Sequence, residues 1–94
     1  MSVWMNQLMV DGKEWGLVYK LDHKGDVLPT HSHTEADNHI TVVARGSVCL
    51  RGAHEGNVVS ANTVIDWIAG EPHGFVALEN DTVLINIPKS NFRD

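Results

Sequence analysis

Four of the six histidines in this chain stand at spacings that could close on one metal ion. His31 and His33 form His-Ser-His, His39 follows, and His73 comes directly after Gly70-Glu71-Pro72. Neutral imidazole is the commonest side-chain metal ligand. Strand side chains alternate with period 2, so His31 and His33 share a face and can act as a two-toothed clamp. His39 and His73 would then close the site from neighbouring strands. Imidazole donors suit Zn, Cu, Fe and Ni, whereas Mg and Ca prefer oxygen. Four imidazoles in a closed tetrahedron would make a structural centre, and three with open positions a catalytic one. Glu35 and Asp37 share parity with His31, His33 and His39. Either becomes a carboxylate ligand or general base if the strand continues through them, and both are candidate catalytic residues. Thr34–Asn38 is also polar enough to be a loop.

Other side chains could shape a pocket around such an ion. Trp67, Phe75 and Tyr19 are candidates for its aromatic lining, although the core or a dimer contact is the commoner place for such side chains. Phe75 shares parity with His73 and is the strongest of them. Arg51 is a candidate anchor for a carboxylate if it faces inward. Arg45 sits in a turn and reads as solvated. His23 and His54 lie in turn sequences, Asp-His-Lys-Gly and Ala-His-Glu-Gly, and are expected on the surface.

These groups need a scaffold, and 94 residues are enough for one domain. A domain this small often gains stability from a metal or a second subunit. Hydrophobic residues make up 43% and charged residues 20%, ordinary values for a folded soluble protein. The net charge of -5 argues against nucleic acid, whose binders need a basic surface. An acidic surface likewise gains nothing at an anionic membrane. The single cysteine, Cys49, precludes an internal disulfide framework and fits a reducing compartment. It falls in the strand-like Ser47-Val48-Cys49-Leu50, where a buried, inert thiol is expected. Met1–Asn6 shows no basic segment followed by an apolar run, and no apolar stretch approaches the roughly 20 residues of a membrane span. The expectation is a soluble, cytoplasmic protein.

Short apolar runs separated by turn residues every ~8–12 positions mark an all-β chain. Strands are expected at Val3–Val10, Trp15–Asp22, Val27–His33, His39–Ala44, Ser47–Arg51, Val58–Ser60, Thr63–Ile68, His73–Glu79 and Thr82–Ile87. Asp11-Gly12 closes the first pair, and Pro29 confines its segment to an edge or bend. Arg45-Gly46 and Asn80-Asp81 suggest two further hairpins. Lys89–Asp94 is polar and expected to be loose. Ile40, Val42 and Ala44 lie opposite Thr41 and Val43, so this strand is apolar on both faces, as is the one around Leu84. That pattern calls for two packed sheets, or a sheet face buried in a homodimer.

Together these residues resemble the two motifs of the cupins. The first motif begins at Gly25, passes five residues to His31-Ser32-His33, and ends at Gly46. The family carries glutamate at the position separated from that glycine by six residues, and here that place is His39. The second motif runs from Asn62, in place of glycine, through Gly70-Glu71-Pro72-His73 to Ala77, in place of asparagine, with Ile68 in place of proline. The resemblance implies a small double-stranded β-helix, or jelly roll, with residues 1–94 as one cupin domain, motif 1 over 25–46 and motif 2 over 62–77. It also implies His31, His33, His39 and His73 as metal ligands.

His39 is the departure with chemical content. A site of three His and one Glu partly neutralises a divalent ion, but four neutral imidazoles leave its full positive charge. An anionic ligand should then bind more strongly. The cofactor expected is a divalent transition metal from among Fe, Ni, Zn, Mn, Co and Cu, with Fe or Zn preferred. The resemblance implies dioxygenases, isomerases, lyases and decarboxylases as available chemistries. The reading taken from it is a dioxygenase-like enzyme acting on a small anionic chelating molecule. The alternative is a non-catalytic module that binds a small molecule or metal in the same pocket. A homodimer is the expected assembly.

Overall fold

Asp11 and Gly12 take φ of 50° and 79°. That left-handed pair is what a two-residue hairpin turn requires and what Asp-Gly supplies readily. It folds β1 (Val3–Val10) back on β2 (Lys13–Leu21), with Val3 opposite Leu21 and Val10 opposite Lys13. The structure, a computed structural model, describes residues 3–31, 39–67 and 71–92. Seven more strands follow: β3 (Val27–His31), β4 (His39–Arg45), β5 (Ser47–Gly52), β6 (Val58–Ser60), β7 (Thr63–Trp67), β8 (His73–Ala77) and β9 (Thr82–Pro88).

The strands form two antiparallel sheets, ordered β1-β2-β9-β4-β7 and β3-β8-β5-β6. Two facing antiparallel sheets joined by crossing connections make the jelly roll expected from the motifs. Their inner faces supply a core of Leu21, Val43, Val48, Leu50, Trp67, Phe75, Ala77 and Leu84. Full burial of a side chain of this kind contributes about 1.5–3 kcal/mol. Among the described residues no helix is long and apolar enough to cross a membrane.

Two expected hairpins are instead corners between sheets. β4 pairs with β7 and β9, whereas β5 pairs with β6 and β8, so Arg45-Gly46 carries the chain from one sheet to the other. Gly46 has φ 80°. A Cβ there would drive into Thr82, whose Cα lies 3.0 Å from the position it would occupy. Asn80-Asp81 is likewise a crossing, from β8 to β9. Asn62, standing where the family has glycine, has φ 70° and donates its backbone N–H to the Val43 carbonyl at 2.8 Å. Asparagine tolerates that left-handed backbone, so the substitution leaves the corner intact.

The tail also differs from its expectation. Lys89–Phe92 forms a short 3-10 helix. Asn91 Nδ2 donates to the Trp15 carbonyl at 2.6 Å, Phe92 meets Trp15 edge to face at 5.4 Å, and Lys89 pairs with Asp66. A polar composition concealed three anchoring contacts.

Candidate metal centre

His39 opens β4 and His73 opens β8, so the two reach the barrel interior from opposite sheets. On β4 burial alternates, with His39, Thr41 and Val43 buried and Ile40 and Val42 half-buried. This places His39 on the inward face by parity. His73 is fully buried and His39 is 8% exposed. Their Nε2 atoms are 3.2 Å apart.

The far side of His73 fixes its tautomer. Nδ1 lies 3.1 Å from the Glu71 carbonyl oxygen, which can only accept, so Nδ1 carries the hydrogen. Nε2 is left with its lone pair directed at His39. A backbone carbonyl holding the remote N–H is the usual support of a metal-binding histidine. Without metal, the same lone pair accepts a hydrogen bond from His39 Nε2–H.

An aromatic wall stands behind the pair. Trp67 is directly opposite His39 on β7 and stacks on His73, with centroids 4.7 Å apart and planes at 21°. Phe75, two residues beyond His73 on the same face, meets Trp67 nearly edge-on at 6.2 Å. Both are fully buried. A hydrogen-bond chain holds the indole: Trp67 Nε1 donates to Thr41 Oγ1 at 2.8 Å, and Thr41 Oγ1 donates to Asn86 Oδ1 at 2.6 Å. Neither Thr41 nor Asn86 stands out in the sequence. Thr41 shares parity with His39, and this is the one signal that places it inside.

The remaining sequence candidates are distributed unevenly. The backbone of His31 lies opposite His73 in the β3–β8 register, the position from which a neighbouring strand can share a site. His33, Glu35 and Asp37 lie outside the described residues. Tyr19 is on the inward side of β2 but belongs to the Leu84–Val43 row, two inward positions from His39, and packs against the core. Partial burial raises its phenol pKa above the ordinary tyrosine value. Arg51 is not brought to the histidine pair. Leu50 points into the core and Arg51 therefore outward, where its Nη1 pairs with Glu55 at 3.0 Å. His54 is exposed as expected, with its ring 6.0 Å from Trp67. Cys49 is half-buried on the outward side of β5.

The donor set fits a metal ion. Two nitrogens each about 2.0–2.1 Å from one ion stand about 2.8–3.4 Å apart, from an octahedral right angle at the short end to a tetrahedral angle at the long end. The 3.2 Å separation falls within that range. Among the described residues no group of three or more His, Cys, Asp or Glu gathers, and of the four expected ligands the structure brings together the rings of His39 and His73.

No family model and no curated protein matches the chain. Solved structures do. KdgF from Halomonas sp. superposes with a TM-score of 0.77 at 22% identity, over 92% of this chain and 78% of that one. A protein described as a predicted oxalate decarboxylase, from Thermotoga maritima, gives 0.75 at 18% identity over the same shares. An RmlC-like cupin protein from Desulfovibrio desulfuricans gives 0.71 at 23% identity, over 92% of this chain and 81% of that one. At such identities the likeness is one of fold.

Proposed function

This chain has the cupin fold, and we propose that its barrel holds one divalent transition-metal ion on His31, His33, His39 and His73 and acts on a small anionic chelating molecule. The observation that carries this reading is the 3.2 Å approach of His39 Nε2 and His73 Nε2 across the two sheets. Burial and the Glu71 carbonyl orient the second ring for ligation. When bound, the ion supplies Lewis acidity, and for iron also redox activity, beside an anionic substrate.

The chain's own residues perform the rest. His39 brings no negative charge where the family's motif has glutamate, so the centre keeps its positive charge and selects an anion. Trp67 and Phe75 wall His73 with apolar surface, excluding water from one side and strengthening electrostatics within. Thr41 and Asn86 lock the indole so that the wall keeps its place. Fe or Zn is the preferred ion: with Fe the reaction class proposed is dioxygenase-like, whereas redox-inactive Zn would supply Lewis acidity alone.

The test begins with elemental analysis of protein purified without a metal-affinity tag, expected to give about one transition metal per chain on this reading. Oxygen uptake by the iron-loaded protein is then followed over small diketones, thiols and hydroxy acids. Uptake dependent on one substrate class supports the enzyme. Tight anion binding with no uptake makes the barrel a binding module, and absence of metal at any loading overturns both.

A further inference from the structure

His73, Phe75 and Ala77 are the buried alternate residues of β8, and His39, Thr41 and Val43 are those of β4. Both histidines therefore reach the interior by plain strand periodicity. β3 cannot bring His31 there in the same way. Val27 is exposed, and Leu28 packs against the core from its place opposite Phe75. Positions 28 and 31 have opposite parity, so regular alternation would carry position 30 inward and position 31 outward.

The β3–β8 ladder breaks at this point. Leu28 is opposite Phe75 and His31 is opposite His73, so Pro29 and Thr30 stand against Gly74 alone. One extra residue in one strand is a β-bulge, and it reverses parity beyond it. Residues directly opposite across an antiparallel pair share a face, so position 31 joins the inward row of His73. The shift in the β4–β9 ladder, between Val43 and Arg45, lies past the inward run that starts at His39. The β3 bulge is different, because it separates a core residue from a proposed ligand.

Proline accounts for the place of the extra residue. It fixes φ near about -65°, far from the roughly -140° of an antiparallel strand. Within sheets it is tolerated at edges and bulges, and β3 is an edge strand paired with β8. A regular β3 would keep Leu28 in the core and turn position 31 outward. A slip of the whole strand by one residue would seat position 31 and withdraw Leu28. The bulge satisfies both. We propose that Pro29 is a positioning residue: the bulge it fixes with Thr30 turns position 31 to the inner face of β3 and so delivers His31 to His39 and His73. The role of His31 rests on the metal reading above, whereas the register is a property of the backbone and is measured without metal.

The test compares the full chain with Pro29→Val, which permits a regular ladder. In metal-free protein, cross-strand nuclear Overhauser contacts to the His73 backbone should come from His31 in wild type and from Thr30 in the variant. Zinc affinity, measured by competition with a chromophoric chelator, should fall at least about tenfold, to the level of His31→Ala. The double variant Pro29→Val, Thr30→His places an imidazole at the inward position of the regular strand and should recover most of that loss. Deletion of Thr30 removes the extra residue and leaves His31 opposite His73, so zinc affinity should stay near wild type. A general loosening of β3 would weaken zinc binding in all three variants, and that result overturns the proposal. So does a Pro29→Val chain in which His31 remains opposite His73, or one whose register shifts while zinc affinity holds. A wild-type chain that binds no zinc overturns the metal reading instead, and the backbone contacts then decide the role of Pro29 by themselves.

Discussion

His39 and His73 begin strands in different sheets, yet their Nε2 atoms lie 3.2 Å apart in the barrel interior. This one relationship joins the two motifs and predicts how the centre responds to a change of charge. His39→Glu restores a carboxylate at the place where the cupin motif has one. Metal content should be retained, because carboxylate oxygen remains a ligand. Anion affinity of the metal-loaded protein should fall at least on the order of tenfold, since a negative charge now stands beside the ligand. Calorimetry with one small carboxylate on both proteins checks this. Unchanged affinity would place His39 outside the coordination shell.

Thr41 makes two hydrogen bonds, accepting from Trp67 and donating to Asn86. Thr41→Val keeps the shape and deletes both. The Trp67 N–H is then left buried without its acceptor, at a cost of about 1–3 kcal/mol. Urea unfolding should show that loss, with the midpoint lowered and the slope unchanged. Metal affinity should also weaken, because the ring stacked on His73 loses its anchor. Loss of stability at full metal affinity would limit Thr41 to a packing role.

Much of the barrel is legible in the residues themselves, and the limits are instructive. Alternation puts Val48 and Leu50 inside and so places Arg51 outside, a conclusion available from parity alone. Periodicity assigns a strand's face and says nothing of its neighbour. Arg45-Gly46 and Asn80-Asp81 therefore look like hairpins, although long-range packing sends the strands on either side to opposite sheets. The Thr41–Trp67–Asn86 chain escapes for the same reason. Its members are 26 and 45 residues apart, and threonine and asparagine carry no mark of burial in a sequence. His73 was visible through its turn, but its tautomer depends on the Glu71 carbonyl, and every residue has a carbonyl.

Gly46 and Gly12 separate two reasons for glycine. Both have φ near 80°. A Cβ at Gly12 meets nothing within 4 Å, whereas one at Gly46 collides with Thr82. Gly12→Ala should therefore cost only the left-handed backbone, about 1–2 kcal/mol. Gly46→Ala adds overpacking of about 1–3 kcal/mol against buried Thr82. Thermal unfolding of the two variants, measured in parallel, should rank Gly46→Ala clearly lower. Equal losses would mean that Thr82 yields without strain.

Glu55 ties the 53–56 turn to pH. The Gly52 backbone N–H donates to Oε1 at 3.0 Å, and Arg51 Nη1 holds Oε2 at the same distance. The Gly52 hydrogen bond first, and then the Arg51 contact, hold its carboxyl below the ordinary glutamate value. A carboxyl depressed in the folded state contributes order that is present above its unfolded pKa and lost as pH falls through the folded one. The turn should therefore loosen in acid, below the usual carboxylate range, while the strands remain paired. The Gly52 amide resonance is the reporter. Its chemical shift should follow the Glu55 titration, and its exchange protection should decline over the same interval. In Glu55→Gln both responses should vanish, because the amide retains a hydrogen-bond acceptor but no longer titrates. A pH-independent Gly52 amide in the wild-type protein would show that the turn is held by its backbone bonds alone, namely Glu55 N–H to the Gly52 carbonyl and Gly56 N–H to the Leu50 carbonyl.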